Sequence, residues 1–112
     1  MSDCIFCKIA HGEIPSTFVY EDDMVCAFSD LHPQAKHHIL IIPKQHIASV
    51  DKEPTPELSY ALFHAAHEIY AKSGEHDGYR LVTNVGKNAG QTVFHLHVHM
   101  LFGENLTSLF GA

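Results

Sequence analysis

The most constraining feature of this chain is a run of alternating histidine and apolar residues from His95 to Leu101. Side chains along a β-strand alternate between the two faces of a sheet, so the run predicts one strand with three histidines on one face and apolar residues on the other. Imidazole nitrogens on a buried strand each need a hydrogen-bond partner, which makes such a row costly as mere packing. The sequence therefore places the functional site on this strand.

The length and charge of the chain narrow the class of protein. The 112 residues predict a single domain spanning residues 1–112. The formal net charge is −6 and the lysines are scattered, whereas a nucleic-acid-binding surface needs clustered basic residues. No apolar stretch approaches the ~20 residues of a membrane span, and the first residues do not resemble a signal peptide. We expect a cytoplasmic protein that binds neither nucleic acid nor membranes.

Periodicity and turn residues predict two helices and five strands. The helices are expected over 3–10, with Asp3 as the N-cap, and from Thr55-Pro56 to about Gly74; the strands are expected over 18–20, 24–28, 38–42, 79–83 and 93–102. Strands and helices do not alternate regularly in this order, which argues against a doubly wound fold. The sequence predicts an α+β fold, with a mostly antiparallel five-stranded sheet and the long helix packed on one face.

Three interpretations of the histidine row are open from its spacing alone. Histidines two residues apart on a strand can share a Zn²⁺ ion, a neutral imidazole can attack phosphorus, or the row can be a solvated face. The loop 84–92, directly before the row, contains glycines, amides and hydroxyls that can present N–H groups to an anion. This position favours a phosphate site beside a nucleophile.

The histidine row matches the signature of the histidine triad (HIT) family. The resemblance also covers residues 4–9, 12–15, 19–23, 27–30, 38–46 and 90–95. In its short length the chain resembles the Hint-type branch, whose members are homodimeric nucleoside phosphoramidases. The resemblance therefore implies a HIT-like fold paired in a homodimer, with a purine nucleotide as substrate.

By position, the resemblance implies a role for each site residue. His97 would be the nucleophile that attacks the α-phosphorus of a nucleoside phosphoramidate. His99 would contact the phosphate or the leaving group, and His38 and His95 would order the site. Asp30 would accept hydrogen bonds from the ribose hydroxyls. The positions that match the purine pocket are Ile5, Phe6, Ile9, Ile14 and Phe28, and those that match the phosphate site are Asn84, Gly90, Gln91 and Thr92.

The pair Cys4 and Cys7 forms a Cys-x-x-Cys motif, which is metal-binding, redox-active or incidental in a reducing compartment. The resemblance to some bacterial relatives implies a zinc site made by these two cysteines with His46 and His95. Four protein ligands leave no open position on the ion, so the zinc would be structural. A zinc-bound His95 cannot be the nucleophile, which leaves His97 and His99 for chemistry.

Two alternative functions stay open at this point. The same attack by His97 could hydrolyse a dinucleoside polyphosphate, or the protein could be a non-catalytic nucleotide-binding scaffold. The tail, residues 103–112, lacks the Trp-Pro-Pro ending that is usual in the Hint-type branch. The leaving group is therefore less determined by the resemblance than the nucleotide.

Overall fold

A computed structural model describes residues 3–108; the first two residues and the end of the tail, 109–112, lie outside the described residues. The elements are α1 (Ile5–Ala10), β1 (Phe18–Glu21), β2 (Val25–Ser29), β3 (His37–Pro43), α2 (Pro56–Ser73), β4 (Tyr79–Val82) and β5 (Val98–Phe102). The strands form one sheet in the order β1-β2-β3-β5-β4, and every neighbouring pair is antiparallel. The predicted α+β fold with a five-stranded antiparallel sheet is confirmed.

Helix α2 covers one face of the sheet. It begins as predicted, because the Thr55 hydroxyl accepts a hydrogen bond from the Leu58 N–H at 3.1 Å and Pro56 occupies the first turn. It ends at Ser73, and the C-cap residue that follows, Gly74, has a positive φ of 81°, which suits glycine. Its buried face packs on β1, β2 and β3. Neither helix within residues 3–108 is long and apolar enough to cross a membrane.

Helix α1 packs on the opposite face, against alternate residues of β2 and β3. Phe6 and Ile9 of the helix share a buried cluster with Phe28 and Leu40. The N-cap is Cys4 and not Asp3 as predicted, because the Cys4 Sγ accepts a hydrogen bond from the Cys7 N–H at 3.3 Å. The start of this helix is therefore tied to the Cys-x-x-Cys motif.

The last strand is shorter than predicted, since β5 begins at Val98 and not at residue 93. The ladder between β3 and β5 ends at the pair Ile41–Val98, although β3 itself continues to Pro43 through its pairing with β2. The Leu96 N–H instead donates to the Ile47 carbonyl at 2.6 Å. The prediction of one strand carrying all three histidines is wrong, because His99 alone among them lies within β5. The side chains still alternate between the two faces of the sheet. Leu96 is buried among the apolar residues under α2, and the histidines lie on the face that α1 covers.

Candidate functional site

The ring of His97 is held in one orientation. Its Nδ1 lies 2.8 Å from the carbonyl oxygen of His95, and because a carbonyl can only accept, Nδ1 carries the proton. The Nε2 atom of a neutral His97 then bears a lone pair. The His97 carbonyl in turn accepts a hydrogen bond from the Thr83 hydroxyl at 2.8 Å, which anchors this residue to the end of β4. His97 thus has the proton arrangement that a nucleophile requires.

His99 and His38 form a pair of contacting histidines on the neighbouring strands β5 and β3. Nε2 of His38 lies 2.9 Å from Nδ1 of His99, and Nδ1 of His38 accepts a hydrogen bond from the peptide N–H of Gln34 at 3.0 Å. The rings of His97 and His99 pack edge to face, with centroids 5.0 Å apart. The structure therefore brings the three residues predicted as catalytic into one connected group.

The surroundings of this pair favour the neutral imidazoles. Burial lowers the pKa of His99 from 6.5 to about 4, with further lowering by His97 and His38 and an opposing effect of Asp30. Burial also lowers the pKa of His38, again opposed by Asp30. Both rings are therefore uncharged at neutral pH.

Asp30 is half-buried beside the same pair. One carboxylate oxygen accepts the His32 N–H at 2.8 Å, and the other lies 3.5 Å from Nε2 of His38. The possible metal-binding atoms of Asp30, His38 and His99 all lie within 4.8 Å of one another. The contact of Asp30 with a ribose stays a prediction.

A separate cluster joins the Cys-x-x-Cys motif to two histidines. Nδ1 of His95 lies 3.4 Å from Sγ of Cys4 and 3.5 Å from Sγ of Cys7, and Nδ1 of His46 lies 3.2 Å from Sγ of Cys7. All four atoms fall within 4.8 Å of one another. These are the four residues that the resemblance suggested as metal ligands.

The donor set and its spacing fit a tetrahedral zinc ion. With Zn–S near 2.3 Å and Zn–N near 2.0 Å, sulfur and nitrogen ligands are about 3.5 Å apart in a tetrahedron. Nε2 of His95 lies 2.8 Å from the carbonyl oxygen of Pro43, so its proton is on Nε2 and Nδ1 faces the sulfurs with a lone pair. Such a bond from the far nitrogen to a carbonyl is typical of histidine ligands. Burial lowers the pKa of His95, which favours the neutral form that binds a metal.

Most positions predicted for the purine pocket lie in the buried cluster under α1. Phe6, Ile9 and Phe28 are members of it, and Ile14 is partly buried against it. The Phe6 ring also packs edge to face on the rings of His95 and His97, at centroid distances of 5.9 and 5.1 Å. Ile5 is 48% exposed. The base-binding roles stay predictions, and the structure adds that Phe6 supports the histidines directly.

The loop 84–92 is held together by the side chain of Gln91, which is only 3% exposed. Its amide oxygen accepts the Gly86 N–H at 2.9 Å, and its amide nitrogen donates to the carbonyls of Ala48 at 2.7 Å and Val93 at 3.1 Å. The loop also contains the three other residues that were predicted to contact phosphate. Asn84 is half-buried, Gly90 has a φ of 101°, and Thr92 is exposed. Their contacts with phosphate stay predictions, and the Gln91 side chain has a structural role that the sequence did not indicate.

Comparison with known proteins identifies the family of this chain. Residues 11–106 match the HIT domain. The chain belongs to the HIT domain family. An uncharacterized HIT-like protein of Synechococcus elongatus is 50% identical over 107 residues, which cover 93% of each chain. This HIT protein is also 44% identical to a 14 kDa zinc-binding protein of Zea mays over 110 residues, covering 94% of this chain and 85% of the other.

The solved structures agree with the sequence comparison. A HIT family hydrolase from Clostridium thermocellum is 46% identical, with a TM-score of 0.88 over 95% of each chain. The resemblance to the HIT family and its fold is therefore confirmed, while the assignment to the Hint-type branch stays a prediction.

Three groups of this HIT site were missed by sequence reasoning. They are the Gln34 peptide N–H, the Pro43 carbonyl and the Thr83 hydroxyl. Two of the three are backbone groups, which carry no signal in the residue type. A hydroxyl at the end of a strand is equally common in structural roles, so the histidine motif alone did not single it out.

Proposed function

We propose that this HIT protein hydrolyses the P–N bond at the α-phosphate of purine nucleoside phosphoramidates, acting in the cytoplasm through a nucleotidyl-His97 intermediate. The observation that supports this most is the 2.8 Å contact of His97 Nδ1 with the His95 carbonyl. It leaves Nε2 as the nucleophilic atom. The similarity to a hydrolase of Clostridium thermocellum supports a hydrolytic reaction in general.

In the proposed first step, Nε2 of His97 attacks the α-phosphorus, a P–N bond to His97 forms, and the P–N bond to the leaving amine breaks. The leaving nitrogen takes up a proton from solvent as the bond breaks, since an amine anion is a very poor leaving group. In the second step, water attacks the same phosphorus, displaces Nε2 and loses a proton to solvent, which releases the nucleoside monophosphate. His97 regains its neutral form with the proton on Nδ1.

The substrate would lie between the α1 cluster and the loop 84–92. Apolar side chains around Phe28 suit a purine base, and the carboxylate of Asp30 suits a pair of ribose hydroxyls. His99 and the loop before the histidine row would contact the phosphate oxygens. The proposed pocket thus follows the residues that the sequence indicated, apart from the structural use of the Gln91 amide.

We also propose that Cys4, Cys7, His46 and His95 bind one structural zinc ion. When bound, the ion would supply a cross-link between α1, the segment after β3 and the histidine row. The zinc-binding relative from Zea mays and the spacing of the four atoms support this assignment. The ligands have no role in the reaction steps, except that His95 offers its carbonyl to His97.

A homodimer is proposed on the exposed edge of the sheet. Strand β4 is an edge strand, and α2 packs on the other half of the sheet. An apolar cavity of about 210 Å³ therefore lies between α2 and strands β4 and β5. Its walls include Leu62, Phe63, Leu81 and Val98. A second copy pairing through β4 would cover this edge and the cavity by two-fold symmetry. Analytical ultracentrifugation should show a dimer that Phe63→Glu converts to a monomer.

Turnover of adenosine 5′-phosphoramidate tests the proposed reaction. The wild type should release AMP, and folded His97→Ala should lose at least about 10³-fold in kcat, as removal of a nucleophile does. His67→Ala, an exposed histidine on α2, is the matched control. Binding of AMP without turnover would favour a scaffold, and faster cleavage of a diadenosine polyphosphate would favour that substrate class. Equal turnover by wild type and His97→Ala would contradict the assignment of the nucleophile.

A further inference from the structure

The proton positions on His38 and His99 can be derived from a single main-chain group. The peptide N–H of Gln34 can only donate, and it lies 3.0 Å from Nδ1 of His38. Nδ1 of His38 is therefore an acceptor, and the proton of neutral His38 must be on Nε2. That proton points to Nδ1 of His99 at 2.9 Å, which is closer than the Asp30 carboxylate at 3.5 Å. Nδ1 of His99 is then also an acceptor, and its proton is on Nε2.

We propose that the Gln34 peptide N–H imposes this one proton arrangement on His38 and His99, and thereby makes His99 a neutral hydrogen-bond donor to the phosphoryl group. The part that concerns the phosphoryl group rests on the proposed function. A protonated His99 would carry a proton on Nδ1, facing the Nε2–H of His38 across 2.9 Å. His38 cannot relieve that conflict by moving its proton to Nδ1, because the Gln34 N–H occupies that side.

This arrangement determines what His99 contributes to the reaction. A neutral imidazole that presents an N–H stabilises negative charge on a phosphoryl oxygen, in the manner of an oxyanion-hole donor. It is not a general acid for the leaving amine, since it has no second proton to give. His38 and the Gln34 peptide are positioning groups that act through His99.

The same arrangement argues against a metal ion among Asp30, His38 and His99, although their atoms are close enough to hold one. Nε2 of His38 and Nδ1 of His99 are the atoms that approach each other, and a proton shared between them occupies the space where an ion would bind. In the Cys/His cluster the His95 proton is directed to the Pro43 carbonyl, away from the sulfurs. The two clusters are therefore assigned different roles.

The segment 30–36, which contains the Gln34 peptide, is hydrogen-bonded at both ends. At its start the Asp30 N–H donates to the His38 carbonyl at 2.9 Å and the Asp30 carboxylate accepts the His32 N–H at 2.8 Å. At its end the Lys36 N–H donates to the Glu104 carboxylate at 2.6 Å. These bonds fix the chain on both sides of the Gln34 peptide and so hold its N–H beside His38.

The first test is the protonation state of each ring in the zinc-loaded wild type without substrate. Long-range ¹H–¹⁵N spectra of histidine-labelled protein at neutral pH, assigned with His38→Gln, His97→Gln and His99→Gln, report which nitrogen is protonated. We expect the Nε2–H form for His38 and His99 and the Nδ1–H form for His97. An Nδ1–H form of His38, or a doubly protonated His99, would overturn the proposal. These spectra do not depend on turnover, so they separate this proposal from the proposed reaction.

The second test removes the peptide proton. Gln34→Pro deletes the N–H, and the matched variant Gln34→Ala keeps it. We expect Gln34→Ala to keep the His38 Nε2–H form, whereas Gln34→Pro shows a mixture of forms. On adenosine phosphoramidate, kcat of Gln34→Pro should fall about tenfold below that of Gln34→Ala with little change in KM. Equal kcat values for two folded variants would refute the positioning role, and if Gln34→Pro does not fold, the wild-type spectra decide.

Discussion

The Nδ1 atom of His97 donates to the carbonyl oxygen of His95 at 2.8 Å, so one residue serves two sites. The His95 side chain lies in the Cys/His cluster, while its carbonyl sets the proton position of the proposed nucleophile. The Cys/His cluster and the proposed reaction site are thus adjacent and linked by one hydrogen bond. Because the link is a backbone carbonyl, it does not require His95 to change its own protonation.

Removal of the cysteine ligands should therefore affect stability more than chemistry. For Cys4→Ser/Cys7→Ser we expect loss of bound zinc and a melting temperature lower by on the order of 10 °C, since a tightly bound ion stabilises the folded state by several kcal/mol. The kcat per folded molecule should stay within about threefold of wild type. Metal analysis, calorimetry and turnover check this. Cys26 is a buried cysteine outside the cluster, so the control variant Cys26→Ala should still bind zinc. Complete loss of turnover in the folded double variant would falsify the structural role of the zinc.

His99 should make stability depend on pH between 6.5 and 4. Its pKa falls from 6.5 to about 4 in the folded protein, so in this interval the unfolded chain binds a proton that the folded protein does not. The stabilisation is fully present above pH 6.5 and is lost as the pH falls towards 4. Urea unfolding of His99→Gln should show a weaker loss of stability on acidification than the wild type, with His67→Gln as the control. Identical pH profiles for wild type and His99→Gln would contradict this assignment.

Phe6 and Ile5 should respond differently to truncation, although both match the predicted purine pocket. Phe6 is 7% exposed and packs on His95 and His97, so Phe6→Ala should cost about 3–5 kcal/mol of unfolding free energy and lower kcat. Ile5 is 48% exposed, so Ile5→Ala should change stability by less than about 1 kcal/mol and raise only KM. Chemical denaturation and steady-state kinetics measure both. A stable Phe6→Ala variant with a defect in KM alone would restrict this residue to base binding.

The amide of Gln91 should not tolerate conversion to a carboxylate. Gln91→Glu keeps the shape but replaces the group that donates to the carbonyls of Ala48 and Val93 by an acceptor. We expect a loss on the order of 3 kcal/mol at pH 7, because a buried charge would face two unpaired carbonyls. Thermal unfolding compares it with Thr92→Ser, an exposed neighbour that should be nearly neutral in stability. A thermally stable Gln91→Glu would mean that the loop does not depend on this side chain.

The sequence by itself determined the elements that carry strong local signals. Thr55, Pro56 and Gly74 mark the ends of α2 through capping and backbone preferences that need no partner. The alternation around His97 correctly separated a histidine face from a core face, because side-chain direction follows from the local chain. The motif also identified the family.

Only the tertiary structure decided how the histidines are arranged and protonated. Strand β5 begins at Val98 because the Leu96 N–H before it donates to the Ile47 carbonyl, a partner outside the sheet that is visible only once the chain is folded. The proton positions on His38, His95 and His97 are set by a peptide N–H and two carbonyls from distant or irregular segments. Backbone groups are chemically the same at nearly every residue, so the sequence cannot show which of them will face a histidine until the chain is folded.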